Sequence, residues 1–296
     1  MAVFEGSGVA IVTPMKDNFE VNYDKLEELI EDQIAQGTDC IVIAGTTGES
    51  STLSMEEHHE VIKAAVSFVK HRVPVIAGTG SNATDTAILL TKEAEEAGAD
   101  AALIVTPYYN KATQAGLYAH YSHIADETKL PIVLYNVPGR TGRNLLPETV
   151  ARLFKDKENI VGLKEATGSL AQASKTMKLT DGKIELYSGE DGLVVPLLSI
   201  GAVGVISVWA NLAPADVHTM VKSYLAGDHK KALEIQMKGL DLVDALFCEV
   251  SPTPVKTALN LMGWNVGPLR LPLIEMEEKN RERLILAMKE YGIKLS

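Results

Sequence analysis

The sequence has little of what would assign it to several large protein classes. It has only two cysteines, Cys40 and Cys248. One lies in an apolar, strand-like run and the other in a helical run, without metal-ligand spacing. This pattern predicts buried free thiols, not a disulfide framework or a zinc site. No apolar run reaches the roughly 18 residues needed to span a bilayer, and the first residues lack the basic, apolar and small-residue zones of a signal peptide. A soluble, cytoplasmic protein is therefore expected. Basic residues are in deficit, with 28 Lys and Arg against 39 Asp and Glu for a net charge of −11. That balance argues against nucleic acid or an anionic membrane surface as a partner, although a locally positive pocket could still take a small anionic substrate. The remainder is ordinary for a globular chain, at 46% hydrophobic and 23% charged residues.

What is present is an alternation repeated eight times. Short runs rich in Val or Ile occur at 8–13, 39–45, 74–78, 101–106, 132–136, 160–164, 184–188 and 204–207. Each closes on Gly, Pro or a polar residue, as strands buried on both faces do. Helical signals separate them. Leu26, Leu29, Ile30 and Ile34 recur at helical spacing after Asn22, a suitable N-cap, and Gly37 ends that stretch. Ser54 and Glu57 form a capping-box pair, and Pro147 and Pro214 suit first helical turns. Strand–helix alternation implies parallel pairing, and eight units predict an α/β fold of the (β/α)₈ barrel class over residues 1–227. A doubly wound open sheet is the rival, but no G-x-G-x-x-G turn follows the first run. Residues 228–296 read as helices alone, around 240–246, 254–261 and 276–288, and predict a C-terminal helical extension packed on the barrel.

In such a barrel the chemistry sits at the C-terminal ends of the strands. Those ends supply hydroxyls, one arginine and one strand-borne lysine, but no histidine or cysteine. This disfavours Ser-His-Asp, Cys-His and zinc-hydrolase sites. Lys164 stands out. Strand alternation places it on one face with Ile160 and Gly162, while Val161 and Leu163 face the other way. Burial there lowers the pKa of an amine and favours the free base, the form that attacks carbonyls. Alternatively, Lys164 snorkels to water or pairs with Glu165 or Glu190. Tyr135 can both donate and accept a proton. Thr46, Thr47 and the Gly48 turn offer hydroxyls and N–H groups to a carboxylate, and Arg140 provides a planar fork for a second one. Each residue has a bland reading, as packing, loop or surface charge; together they describe a site for condensing two small acids. The last two strand ends carry Glu190 and Asp191, which would repel phosphate, so sugar-phosphate substrates are disfavoured.

The motifs Gly45-Thr46-Thr47-Gly48-Glu49, Thr106-Pro107-Tyr108-Tyr109, Tyr135-Asn136-Val137-Pro138-Gly139-Arg140-Thr141-Gly142 and Gly162-Leu163-Lys164-Glu165 occur in this order. With them the chain resembles the dihydrodipicolinate (4-hydroxy-tetrahydrodipicolinate) synthase family of pyruvate-dependent class I lyases and aldolases, over nearly its whole length. The resemblance implies that Lys164 forms an imine with pyruvate and that the enamine attacks L-aspartate 4-semialdehyde on the diaminopimelate route to lysine. It implies a proton relay of Thr46, Tyr109 and Tyr135, with Tyr109 reaching a neighbouring subunit's site. Thr47 would hold the pyruvate carboxylate, Arg140 the semialdehyde carboxylate, and Gly189 and Ile206 would line the pocket through their backbone. No cofactor and no metal are implied; a homo-oligomer is, usually a tetramer of tight dimers. Related sugar-acid lyases and aldolases commonly carry Ser where this chain has Thr46 and lack an arginine like Arg140. A catalytically silent barrel that binds 2-oxo acids is a third reading. Met55 and Thr86 stand where lysine-inhibited members carry a histidine and a glutamate, although Ser50, Ser51, His58, Asn82 and Tyr108 still suit that pocket. Weak or absent feedback by lysine is therefore expected.

Overall fold

A computed structural model describes residues 2–296. The chain alternates β1 (Gly6–Ala10), α1 (Tyr23–Ala35), β2 (Cys40–Ile43), α2 (Met55–Val69), β3 (Val75–Gly78), α3 (Thr84–Glu96), β4 (Ala101–Val105), α4 (Gln114–Asp126) and β5 (Ile132–Asn136). A single turn, α5 (Pro138–Thr141), precedes α6 (Pro147–Asp156). Then come β6 (Ile160–Glu165), α7 (Leu170–Leu179), β7 (Glu185–Ser188), α8 (Val194–Ser199), β8 (Gly204–Ser207) and α9 (Pro214–Leu225). All eight strands pair in parallel with their sequence neighbours, and β8 returns to β1, which closes the (β/α)₈ barrel.

Local chemistry accounts for the element boundaries. The Asn22 side chain accepts from the Lys25 N–H at 3.2 Å and starts α1. Ser54 and Glu57 exchange both capping-box hydrogen bonds at the start of α2. Pro147 and Pro214 open α6 and α9, where a missing N–H costs nothing. Along each strand, alternate residues enter two apolar clusters. Val42, Ile76, Leu103, Val133, Tyr135, Tyr187 and Ile206 fill the barrel interior. Ile41, Ile43, Ile104, Leu134, Leu163, Leu186 and Val205 meet the surrounding helices.

Three expectations need correction. The first strand lies two residues earlier than its apolar run, at Gly6–Ala10; Gly6 N–H already bonds to Val203, whereas beyond Ala10 the Val12 N–H goes to the Asn211 side chain at 3.2 Å. Ile160 does not share a face with Lys164. The β5–β6 register slips between Ile132 and Val133, skipping Val161, so Ile160 joins Leu163 in the helix-facing layer. The bulge resets the period-two phase and leaves Lys164 aligned with the interior-facing Tyr135. Finally, Cys40 is a buried free thiol, but Cys248 lies beyond its helix and is only half-buried.

After β8 the chain is helical: α10 (His229–Leu246), α11 (Thr253–Leu261) and α12 (Glu278–Tyr291). α10 buries Ala232, Ile235, Leu242 and Leu246 against the barrel. Gly239 is required there, because a Cβ would stand 2.4 Å from the ring of the fully buried Trp209. Gln236 of α10 donates to the Asp191 carbonyl at 2.9 Å and accepts from Val195 N–H at 3.1 Å, tying the extension to the strand ends.

Candidate active site

Lys164 lies near the C-terminal end of β6, in register with Tyr135 of β5 on one side and Tyr187 of β7 on the other. It is buried, at 7% exposure. Its ammonium does not find a partner in Glu165, whose carboxylate is turned aside to accept from Thr167 N–H at 2.8 Å and Gln172 Nε2 at 3.4 Å. Instead Nζ stands 4.4 Å from the centre of the Tyr135 ring. Burial brings the Lys164 pKa down to about 8; Asp191 and Glu190 oppose the shift and Arg140 assists it. The balance holds a reactive amine within reach of neutral pH.

Tyr135 is buried, and Thr46 on the loop after β2 is near enough to act on its phenol. Burial raises the phenol's pKa, while Arg140 and the Thr46 side chain counter that shift. A neutral phenol beside an amine can pass protons. Thr47, next in the chain, is 4% exposed. Gly189 follows β7, and a Cβ on it would come 2.7 Å from the Ala166 Cβ and 3.1 Å from the Lys164 side chain, so only glycine permits this approach. Ile206 faces the interior from β8, paired with Gly8. Thr46, Tyr135, Lys164 and Gly189 are thus brought together.

Arg140 lies on α5 at the exposed rim, where its Nη2 donates to the Ser251 carbonyl at 3.2 Å. Its charge acts on Tyr135, Lys164 and Glu190. Tyr109 is not brought to the lysine by contacts within this chain: it is 88% exposed on the loop after β4, held at a φ of 72°. Positive φ also occurs at Ala44, Glu49 and Lys111, so the rim loops hold several non-glycine residues in a conformation that side chains disfavour.

Two acidic residues of this rim, Glu190 and Asp191, were read from sequence as repelling phosphate, and Glu190 also as a candidate partner of Lys164. Asp191 is buried; its Oδ2 accepts from Val208 and Trp209 N–H groups, both at 2.9 Å, and its Oδ1 has no partner. Burial raises its pKa and that of Glu190, and together they temper the depression of Lys164. Their position after the seventh strand was visible, but their effect on an amine at the end of the adjacent strand is a matter of tertiary distance. Among the described residues no group of three or more His, Cys, Asp or Glu side chains is arranged to hold a metal ion.

Comparison with known proteins agrees with this arrangement. Residues 3–291 match the model of the dihydrodipicolinate synthetase family. A 4-hydroxy-tetrahydrodipicolinate synthase of Lachnoclostridium phytofermentans is 56% identical over 293 residues, covering 99% of this chain and 100% of the relative. The crystal structure of dihydrodipicolinate synthase from Aquifex aeolicus superposes with a TM-score of 0.96 at 44% identity, covering 99% of this chain and 100% of that one. A chloride-inhibited dihydrodipicolinate synthase from Acinetobacter baumannii, complexed with pyruvate, gives 0.95 at 49% identity, over 98% and 99% of the two chains. A buried lysine on the sixth strand of a closed barrel, full-length similarity and the family match all lead to one assignment: this chain belongs to the dihydrodipicolinate synthetase family.

Proposed function

We propose that this chain carries out the synthase reaction of its family with Lys164 as the covalent catalyst and the rim residues in the following roles. The chain is a lyase of the 4-hydroxy-tetrahydrodipicolinate synthase type. The uncharged Lys164 amine adds to the C2 carbonyl of pyruvate, and the carbinolamine loses water to give an imine. Loss of a proton from the methyl group gives an enamine, whose carbon attacks the aldehyde of L-aspartate 4-semialdehyde. The adduct's own amine then attacks C2, displaces Lys164 and closes the ring. Tyr135 and Thr46 move the protons, since the phenol ring lies beside Nζ and the threonine acts on the phenol. Thr47 and the adjoining loop hold the pyruvate carboxylate, Arg140 receives that of the semialdehyde, and the backbones at Gly189 and Ile206 line the pocket. The relative crystallised with pyruvate supports the choice of first substrate.

Tyr109 completes the relay of a neighbouring subunit; an almost fully exposed tyrosine on a strained loop suits that part, in a homotetramer of tight dimers. Residues 1–227 form the catalytic barrel and 228–296 its helical extension, acting in the cytoplasm. The observation that carries the reading is the buried amine at about pKa 8 against the Tyr135 ring. Borohydride reduction in the presence of pyruvate, followed by peptide mass mapping, should place one pyruvate-derived adduct on Lys164 and none on Lys164→Ala. An unmodified Lys164 would sink the enzyme reading. Coupled assays with aspartate semialdehyde and with sugar acids then identify the partner substrate.

A further inference from the structure

A second buried lysine lies near the site and has no part in the chemistry above. Lys256, on α11 of the extension, is 1% exposed and donates from Nζ to Glu49 Oε1 at 2.7 Å, to the Pro268 carbonyl at 2.7 Å and to the Thr13 carbonyl at 3.3 Å. Its partner Glu49 is likewise buried and closes the loop that carries Thr46 and Thr47. The other Glu49 oxygen accepts from Arg270 N–H at 3.1 Å. The Arg270 guanidinium in turn grips Glu57 through two contacts of 2.6 and 2.7 Å and donates to the Thr52 carbonyl at 2.8 Å.

The rest of the loop is held mainly by bonds within itself. Gly48 N–H bonds to Gly45, Glu49 N–H to Thr46 and Ser50 N–H to Gly45, so it is a tight turn folded on itself. Glu49 sits in the left-handed region at φ 55°, which a glutamate adopts only if its surroundings impose it. Thr13 Oγ1 donates to the Gly48 carbonyl at 2.7 Å, so Lys256 and the turn also meet through Thr13. One turn earlier in the extension, Ser251 accepts from Arg140. The stretch 251–270 thus reaches both places assigned to substrate carboxylates.

We propose that Glu49, Lys256 and Arg270 are positioning residues, and that the helical extension holds the Thr46–Thr47 turn in its pyruvate-binding shape through the buried Glu49–Lys256 pair. This rests on the reading of Thr47 as the pyruvate-carboxylate residue. The pair makes no contact with the reacting atoms. It acts on the turn, so its loss falls on pyruvate before it falls on the semialdehyde.

The test measures pyruvate half-saturation in borohydride trapping, together with kcat and both KM values, for the full-length Glu49→Gln, Arg270→Ala and Thr47→Val proteins, with folding followed by circular dichroism. Glu49→Gln keeps the side-chain volume but removes the charge that answers Lys256. Its pyruvate half-saturation should rise about tenfold or more, with the semialdehyde KM changed by less than about threefold. Arg270→Ala leaves the pair intact and removes only the outer brace, and should give a smaller rise of about two- to fivefold. A folded Glu49→Gln protein with unchanged pyruvate half-saturation overturns the proposal. If that variant does not fold, unchanged half-saturation in Arg270→Ala overturns it instead. Thr47→Val separates the two readings: no effect there removes the carboxylate assignment itself, whereas a rise there with none in the other two removes only the brace.

Discussion

Lys164 is flanked in register by two tyrosines, and the two meet opposite surroundings. Tyr135 extends toward the C-terminal rim, where Thr46 acts on its phenol and its ring lies against the amine. Tyr187 belongs to the other end of the barrel. Its ring stacks on Phe4 with centroids 4.5 Å apart, and its hydroxyl reaches the Phe4 carbonyl at 2.9 Å and Glu185 at 2.8 Å. Burial, followed by the nearby Glu185 carboxylate, drives its pKa far up and keeps it an uncharged plug. The same residue type on the two strands that flank β6 thus faces the amine at one end of the barrel and closes the other. The environment decides: the upper hydroxyl faces a polar loop, while the lower one is saturated by groups from the N-terminal segment.

Substitutions should break this symmetry in opposite directions. Tyr135→Phe removes the proton-passing hydroxyl and should lower kcat by about 10²- to 10⁴-fold with little change in stability, read from steady-state rates and a thermal melt. Arg140→Ala deletes a charge-assisted contact of about 1.5–3 kcal/mol and should reduce kcat/KM for the semialdehyde by roughly ten- to a hundredfold while sparing pyruvate trapping. Unchanged semialdehyde kinetics would contradict the role given to Arg140. The pH dependence of trapping probes the amine between the tyrosines. Because the pKa of Lys164 is lowered from 10.5 to about 8, capture should climb with rising pH, reach half its limit near 8 and level off above it. A climb that continues to about pH 10 would mean an unperturbed lysine. Tyr187→Phe should do the reverse of its neighbour, costing about 1–3 kcal/mol of stability by stranding the Phe4 carbonyl and Glu185, with kcat within a few-fold of the parent. The smallest effect is expected from lysine itself. With Met55 and Thr86 where the resemblance places a histidine and a glutamate, and His58 already bonded through Nε2 to the Gly78 carbonyl at 2.8 Å, sub-millimolar lysine should leave the steady-state rate unchanged.

Much of the fold was legible because its causes are local. Asn22, Ser54 with Glu57, Pro147 and Pro214 mark helix starts through bonds made or omitted within one turn. Doubly buried parallel strands write themselves as apolar runs. The errors arose where a neighbouring element intervened: the skipped Val161 in the β5–β6 register moved Ile160 to the other face, and the Asn211 side chain, by taking the Val12 N–H, ended β1 early.

The site divides in the same way. The sequence by itself determined the residue types on the strand ends, the order of the barrel and the family, because these follow from composition, period and motif. Only the tertiary structure decided that Lys164 is turned from Glu165 and tempered by Asp191, that the Tyr135 ring lies against its amine while Tyr187 packs on Phe4, and that a buried pair between Glu49 and Lys256 ties residues 207 positions apart. Desolvation and Coulomb interaction depend on distance through space, and no spacing along the chain encodes that distance before the barrel closes.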